Sequence, residues 1–141
     1  MDEAAGPTGI RVLLVEDHAM LRGIMEQTLM NAGLQVTVAE NGDQAAALLA
    51  GGARPDVLLS DIRMSGKLNG KDLARWAKQR YPSMVILLQT GFGDIDDGDF
   101  HVLRKPFGPD VLLDAIKDAR QRVSQHVADI PYDASTKVRF D

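Results

Sequence analysis

Short apolar runs alternate with longer stretches of helical periodicity along this chain. The apolar runs predict five strands, at Arg11–Val15, Gln35–Ala39, Val57–Asp61, Met84–Leu88 and Val102–Arg104. The periodic stretches predict four helices, at 18–32, from Asn41 or Asp43 to 50, at 72–81, and from Pro109 through Val123. Strand and helix follow each other in turn, which predicts a parallel sheet of about five strands covered by helices on both faces.

The first predicted helix carries an apolar stripe. Its members recur three or four positions apart, at Leu21, Ile24, Met25, Thr28, Leu29 and Ala32. Met20, Met25 and Met30 lie on or near this stripe, so we expect them to pack in the core rather than to form a surface for a partner. The run Met84–Leu88 is apolar throughout, as is typical of a strand buried on both faces.

The segment between the fourth and fifth strands breaks the alternation. Residues 91–101 contain three glycines and four aspartates, which are poor helix formers. A crossover between parallel strands normally needs a dozen or more residues, so a full helix hardly fits there. We expect a loop or a single turn, with the helix after the fourth strand shortened or absent.

Both ends of the chain lack periodicity. Residues 1–9 are predicted to form a flexible leader, because Gly6, Pro7 and Gly9 interrupt them. Residues 127–141 are polar with Pro131 among them, and are predicted to form a C-terminal tail. One folded domain is therefore expected at 10–126.

Composition narrows the class of protein. The chain has 141 residues, of which 45% are hydrophobic, enough for one core. Its net charge of -4 gives no overall basic field, so direct binding to nucleic acid or to an anionic membrane is not expected. The absence of cysteine is compatible with a reducing compartment, and no signal-peptide pattern opens the chain. We expect a soluble, cytoplasmic protein.

Three carboxylates end two of the predicted strands. Glu16 and Asp17 follow the first strand, and Asp61 closes the third. If these strands are parallel neighbours, their carboxyl ends meet at one edge of the sheet, where open α/β sheets bind ligands. Crowded carboxylates raise each other's pKa unless a cation compensates, and Mg²⁺ prefers oxygen ligands. The pattern predicts a site with a bound dication that handles phosphate.

Each of these residues also has an ordinary structural interpretation. Asp61 alone is typical of a turn or a helix cap, Thr90 alone of a β-branched strand residue, and Lys105 alone of a solvated surface charge. His18, beside the acids, is expected to lie at the start of a helix rather than to bind metal. The functional interpretation therefore depends on the residues as a set.

As a set, they resemble the receiver domain of two-component response regulators. The residues that carry the resemblance each lie at the end of a predicted strand or within two positions after it: Glu16, Asp17, Asp61, Thr90, Lys105 and Pro106. The likeness spans roughly residues 10 to 125. The loop from Asp61 to Gly70 is similar to the longer variant of the family's loop after the third strand, with its Asn-Gly ending. The resemblance implies a flavodoxin-like, doubly wound sheet with strand order 2-1-3-4-5.

The resemblance also implies a role for each residue. Asp61 would accept the phosphoryl group from a phosphohistidine on a histidine kinase or a histidine phosphotransfer protein. Glu16, Asp17, Asp61 and the backbone carbonyl of Arg63 would hold Mg²⁺. Lys105 would pair with Asp61 before transfer and with a phosphoryl oxygen afterwards.

Further roles follow the same resemblance. Thr90 would donate a hydrogen bond to another phosphoryl oxygen and move the loop after it. The peptide bond before Pro106 would be cis and would aim Lys105 at the site. Such a protein would transfer phosphate onto itself and lose it again, without being a classical enzyme.

The chain departs from the family pattern at several positions. Ser65 stands where the family usually has proline, and Val102 stands where an aromatic residue usually couples to the threonine. Arg63 and Phe92 flank the acyl phosphate and would tune its hydrolysis, with slow loss expected. The shortened segment after Thr90 removes most of a common dimer surface, so a monomer or weak dimer is expected.

Two other functions remain open. An aspartyl-phosphate phosphatase would use the same acids, but it needs an aspartate two residues after the nucleophile, where Arg63 stands. A receiver with a degenerate site could act as a docking module, although the acid, threonine and lysine set is complete. The sequence does not distinguish a stand-alone protein from a piece of a hybrid kinase, nor identify its kinase.

Overall fold

In a computed structural model of the protein, five strands form a single sheet. The structure describes residues 9–91 and 100–129, with side chains in the second range described as far as residue 121. The strands are β1 (Arg11–Val15), β2 (Gln35–Ala39), β3 (Val57–Asp61), β4 (Val85–Thr90) and β5 (His101–Arg104). All neighbours pair in parallel, in the order β2-β1-β3-β4-β5. The predicted sheet and strand order are confirmed.

Four helices lie in the described part of the chain. They are α1 (Ala19–Asn31), α2 (Gly42–Ala50), α3 (Gly70–Arg80) and α4 (Pro109–Asp129). Among them, none has the length and apolar character needed to cross a bilayer. The predictions for residues 92–99, which include the shortened helix and Phe92, and those for residues 1–8 and 130–141 lie outside the described residues.

The helices cover the two faces of the sheet in pairs. Strand residues alternate between faces, so Leu14 and Leu59 pack with α1 and α4, whereas Leu13 and Leu58 pack with α2 and α3. The central strands β3 and β4 are buried along their whole length, and for β4 this was predicted from the continuous apolar run Met84–Leu88. This layering leaves the carboxyl ends of β1, β3 and β4 side by side at one edge.

The apolar side chains of α1 do not all point inward. Leu29 is buried and Met25 is partly buried against the core, but Met20, Ile24 and Met30 are 71%, 57% and 50% exposed. The prediction that these three residues pack in the core was wrong. Each residue advances about 100° around a helix, so positions one step away from the inward-facing 25 and 29 already turn towards solvent. Apolar side chains are therefore left exposed on α1 at positions 20, 24 and 30.

The third helix begins earlier than predicted. Its first residue is Gly70 instead of Asp72, and the side chain of Asn69 caps it by accepting a hydrogen bond of 2.9 Å from the Asp72 N–H. Asparagine is among the strongest N-cap residues, because its side-chain oxygen replaces a missing helical acceptor. The Asn-Gly ending of the preceding loop is therefore the start of the helix.

Candidate functional site

Three carboxylates meet at the carboxyl edge of the sheet. In the parallel register of β1 and β3, Val15 lies opposite Ser60, so Glu16 and Asp61 follow as neighbours. Carboxylate oxygens of Glu16, Asp17 and Asp61 all lie within 4.8 Å of one another. The structure thus brings together the three acids that the sequence placed at strand ends.

Glu16 is the most enclosed of the three acids, with only 1% of its surface exposed. One of its carboxylate oxygens accepts a hydrogen bond of 3.1 Å from the His18 N–H. Its backbone is held too: its N–H donates to the Ala39 carbonyl at 3.1 Å, and its own carbonyl accepts from Arg22 at 2.9 Å. These three hydrogen bonds fix the residue between β1, β2 and α1.

Lys105 bridges two of the acids. Its ammonium nitrogen lies 3.2 Å from Glu16 Oε1 and 3.4 Å from Asp61 Oδ2. The Lys105 N–H donates to the Thr90 carbonyl at 2.7 Å, and the Lys105–Pro106 peptide bond is cis, as the resemblance predicted. A contact between Lys105 and Asp61 was expected from the sequence, but the contact with Glu16 was not.

The electrostatics of the cluster disfavour the charged form of Asp61. Burial raises the pKa of Asp61 to about 6, and the neighbouring Glu16 and Asp17 push it the same way, while Lys105 acts in the opposite direction. Burial is the largest of these causes, and with three carboxylates around one ammonium the cluster also carries net negative charge when the acids are ionised. The cluster retains an attraction for a further positive charge.

Asp17 is tied to the loop after β3. Its Oδ2 accepts a hydrogen bond of 3.0 Å from the backbone N–H of Ser65. Proline, the usual residue of the family at that position, has no N–H and could not make this bond. The sequence identified Ser65 only as a departure from the family pattern, yet this residue supplies a donor to the acidic cluster.

The same loop is anchored at two further points. Asp43 accepts a hydrogen bond of 3.1 Å from the Lys67 N–H, next to Gly66, whose φ of +94° favours glycine. The Gly70 N–H donates to the Ile62 carbonyl at 2.8 Å, and a Cβ on Gly70 would collide with the backbone oxygen of Asp61. Glycine at position 70 therefore allows α3 to start directly against the end of β3.

The structure describes three of the remaining predicted residues. Thr90 ends β4 and is 5% exposed, and Arg63 is exposed in the loop after β3. Val102 is partly buried and packs, as Phe100 does, on the sheet face covered by α2 and α3. Phe92 lies outside the described residues.

Gln89 is a buried polar residue that sequence reasoning passed over. It lies opposite Asp61 in the register of β3 and β4 and has no exposed surface. Its amide nitrogen contacts Met25 Sδ at 3.7 Å, and among the described residues its Oε1 has no hydrogen-bond partner. A glutamine that follows an apolar run and precedes Thr90 was the available signal.

An apolar groove adjoins the acidic cluster. It has a volume of about 390 Å³ and runs between α1 and the segment that joins β5 to α4. Its wall includes Leu21, Ile24, Met25, Lys105, Phe107 and Leu112. Since Lys105 lines the groove and also contacts the acidic cluster, a molecule in this groove would lie beside the three carboxylates.

Comparisons with known proteins agree with this architecture. A family model described as the response regulator receiver domain matches residues 12–117. The DNA-binding transcriptional regulator NtrC of Salmonella typhimurium is 38% identical over 115 residues, which are 77% of this chain and 24% of that protein. The chain therefore spans about a quarter of the length of the curated relatives it matches.

Two solved structures have a similar fold. A response regulator receiver protein from Sinorhizobium medicae has a TM-score of 0.74 at 30% identity, covering 82% of this chain and 98% of that one. The response regulator TrrA of Thermotoga maritima, solved in complex with Mg²⁺-BeF, has a TM-score of 0.69 at 25% identity, covering 78% and 98%.

Proposed function

This chain belongs to the response regulator receiver domain family, and we propose on that basis that it accepts a phosphoryl group from a phosphohistidine onto Asp61. One observation carries the proposal. Asp61 lies within 4.8 Å of two further acids and within 3.4 Å of the Lys105 ammonium, at the carboxyl edge of a parallel sheet. The proposed receiver unit is residues 10–126.

The transfer is an exchange of one bond for another. A carboxylate oxygen of Asp61 forms a P–O bond as the P–N bond to the donor imidazole breaks. The imidazole nitrogen keeps the electron pair and takes up a proton. The product is an acyl phosphate on Asp61 and a neutral histidine on the donor.

The residues of the cluster fit a Mg²⁺ ion. Their carboxylate oxygens are hard ligands within 4.8 Å of one another, and one ammonium faces three carboxylates, which leaves net negative charge when the acids are ionised. We propose that Glu16, Asp17 and Asp61 hold the ion together with the backbone carbonyl of Arg63. Bound Mg²⁺ would supply charge neutralisation for the approach of one anion to another. The relative TrrA, solved with Mg²⁺-BeF, supports this choice of metal.

Lys105 and Thr90 are proposed to act on the phosphoryl oxygens. The Lys105 ammonium already contacts Asp61 and Glu16, and its flexible stem lets it follow a new anionic oxygen. Thr90 ends the strand next to Asp61, where its hydroxyl would donate to another oxygen. Arg63, Phe92, Val102 and Pro106 are proposed to modulate the lifetime or the readout of the acyl phosphate.

The phosphodonor is proposed to be a histidine kinase or a histidine phosphotransfer protein. A protein that delivers a phosphohistidine to Asp61 must cover the surface around it, and the apolar groove beside Lys105 offers such a surface. Ile24 in its wall is exposed, and Met20 on α1 and Val111 on α4 also expose apolar side chains. DNA binding by the longer relatives is not part of the proposal, since the chain matches about a quarter of their length.

Intact-mass spectrometry tests the chemistry. The protein is incubated with acetyl phosphate and Mg²⁺, and a gain of one phosphoryl group is expected. Asp61→Asn should abolish the gain, whereas Asp72→Asn, which alters an exposed aspartate on α3, should leave it intact. Equal gains in the wild type and in Asp61→Asn would reject Asp61 as the acceptor. No gain in either protein, repeated with purified kinases, would favour the docking module.

A further inference from the structure

A second groove lies at the opposite edge of the sheet, where the strands begin. It has a volume of about 650 Å³ and is bounded by the starts of β1 and β4, the segment before β3 and the end of α3. Its charged and aromatic lining residues are Arg11, Arg54, Asp56, Arg80, Tyr81 and Arg120. None of them belongs to the acidic cluster.

The groove is strongly cationic in an acidic protein. Four guanidinium groups face a single lining carboxylate, that of Asp56, which leaves three net positive charges. The carboxyl ends of α2 and α3 lie close by and contribute about -0.5 charge each, so roughly two positive charges remain. The chain as a whole carries -4. Such a local excess of positive charge attracts anions.

Two of the arginines have partners within the fold. Arg11 donates its backbone N–H to Asp56 at 2.9 Å and forms a 3.5 Å ion pair with the same carboxylate. Arg54 donates to the carbonyls of Leu49 and Ala53 at 2.8 and 2.7 Å, and its guanidinium stacks over the Tyr81 ring. These contacts fix the two side chains in the wall of the groove.

The other two arginines have no acidic partner in the described ranges. The Arg80 guanidinium lies 4.9 Å from the centre of the Trp76 ring, and no described carboxylate forms an ion pair with it. Arg120 is exposed on α4 and only senses Asp56 electrostatically. Both side chains line the groove, and in the described ranges neither guanidinium takes part in a side-chain hydrogen bond or an ion pair.

We propose that this groove binds a small polyphosphate anion. Its volume lies in the usual range of small-molecule sites, and guanidinium groups bind phosphate through paired hydrogen bonds. The groove offers four guanidinium groups but only one aromatic ring, that of Tyr81, and the Arg54 guanidinium already lies over that ring, so the recognised group is the phosphate chain rather than a base. Inorganic triphosphate and the triphosphate of a nucleotide share this chemistry.

The groove is separate from the proposed phosphorylation site. The strands between the two edges are about five residues long, which places the sites roughly 16 Å apart. A ligand at the amino edge would not contact Asp61 or Lys105. The two proposals can therefore fail independently, and the binding experiment needs no phosphorylation.

Isothermal titration calorimetry tests the proposal, with inorganic triphosphate and adenosine triphosphate titrated separately. EDTA is present so that neither probe bridges to a metal ion at the acidic cluster. The double variant Arg80→Gln with Arg120→Gln should weaken binding about tenfold or more, since hydrogen bonds to charged groups are worth that factor. Arg75→Gln, on the outer surface of α3, should change the dissociation constant less than about twofold.

Several results separate the proposal from its rivals. Equal affinity for the two probes assigns binding to the phosphate chain, and tighter binding of the nucleotide adds a contact from its base. No saturable binding, or equal loss in Arg75→Gln, would overturn the proposal and leave the arginines as caps of helix ends. If the double variant does not fold by circular dichroism, the Arg80→Lys and Arg120→Lys pair replaces it, with the same tenfold loss expected from the missing paired bonds.

Trp76 offers a second, independent readout. It is the single tryptophan of the chain, and the Arg80 guanidinium lies over its ring. An anion that draws Arg80 into the groove should change the fluorescence of Trp76 in a saturable manner. A calorimetric signal with no change at Trp76 would place the anion elsewhere and overturn the assignment to this groove.

Discussion

The backbone N–H of Ser65 holds one oxygen of Asp17 at 3.0 Å, in a loop where proline is the family's usual residue. Hydrogen bonds to the ligands of a metal ion orient them, and their loss typically costs tenfold or more in affinity. Ser65→Pro should therefore weaken Mg²⁺ binding about tenfold by calorimetry. Ser65→Ala keeps the N–H and is the matched control. Equal affinities in the two variants would contradict the assigned role of this bond.

Ionisation of Asp61 lowers the stability of the folded protein, so that stability depends on pH. Its pKa is about 6 in the folded protein against 3.8 for an unperturbed aspartate, so the folded state binds the proton more tightly than the unfolded state. Without a dication, the free energy of unfolding should fall as the pH rises from about 4 to about 6. It should stay lowered above that range. Below pH 4 both states are protonated and the effect vanishes.

Asp61→Asn should remove this loss of stability. Its free energy of unfolding in EDTA should exceed that of the wild type by about 1–3 kcal/mol at pH 7, with the difference closing towards pH 4. Urea unfolding at several pH values measures it. Asp72→Asn, at an exposed site, should track the wild type. Adding Mg²⁺ should stabilise the wild type more than Asp61→Asn, and the reverse order would argue against a metal at this cluster.

At the scale of residues, the sequence predicted which acids would meet but not how they are held. Glu16 and Asp61 follow paired parallel strands, and that alone brings them together. The bridge from Lys105 to Glu16 depends on a side-chain rotamer, and the bond from Ser65 depends on the path of a loop. Neither leaves a periodic pattern in the sequence.

At the scale of elements, the outward face of α1 carries the proposed contact with the phosphodonor. Ile24 is 57% exposed and lines the apolar groove beside Lys105. Ile24→Lys should slow phosphotransfer from a kinase or phosphotransfer protein about tenfold or more, because interface anchors commonly contribute that much. Phosphorylation by acetyl phosphate should remain unchanged, since the small donor needs no such surface.

A matched variant controls for the added charge. Gln27→Lys places a lysine on the exposed side of the same helix, away from the groove. It should transfer phosphate at the rate of the wild type. If both variants slow the transfer equally, the effect is electrostatic and the apolar contact is not supported. If Ile24→Lys also impairs the reaction with acetyl phosphate, the substitution has disturbed the site itself.

Element boundaries were predictable where burial determines them. β1, β2 and β3 begin and end at the predicted residues, because β1 and β3 contain short apolar runs and β2 alternates polar and apolar residues. The start of α3 was missed, since Asn69 and Gly70 are equally typical of a turn. The exposure of Met20, Ile24 and Met30 on α1 was not predicted, because apolar residues at helical spacing do not reveal how wide the buried face of a helix is.

At the scale of the whole molecule, the prediction of a monomer or weak dimer concerns the sheet edge formed by β5. Residues 92–99, which lead into β5, lie outside the described residues. Light scattering coupled to size exclusion should give a monomer mass before and after incubation with acetyl phosphate and Mg²⁺. A stable dimer that forms only after phosphorylation would contradict this prediction and would indicate that the shortened segment still supports pairing.

The bridge made by Lys105 has a consequence for ion selectivity. One ammonium shared by Glu16 and Asp61, beside Asp17, leaves the cluster about two positive charges short of neutrality when all three acids are ionised. Two monovalent cations confined within 4.8 Å would repel each other strongly, whereas one divalent cation supplies the same charge at a single point. Valence alone therefore favours a dication over sodium or potassium, even where those ions are far more abundant.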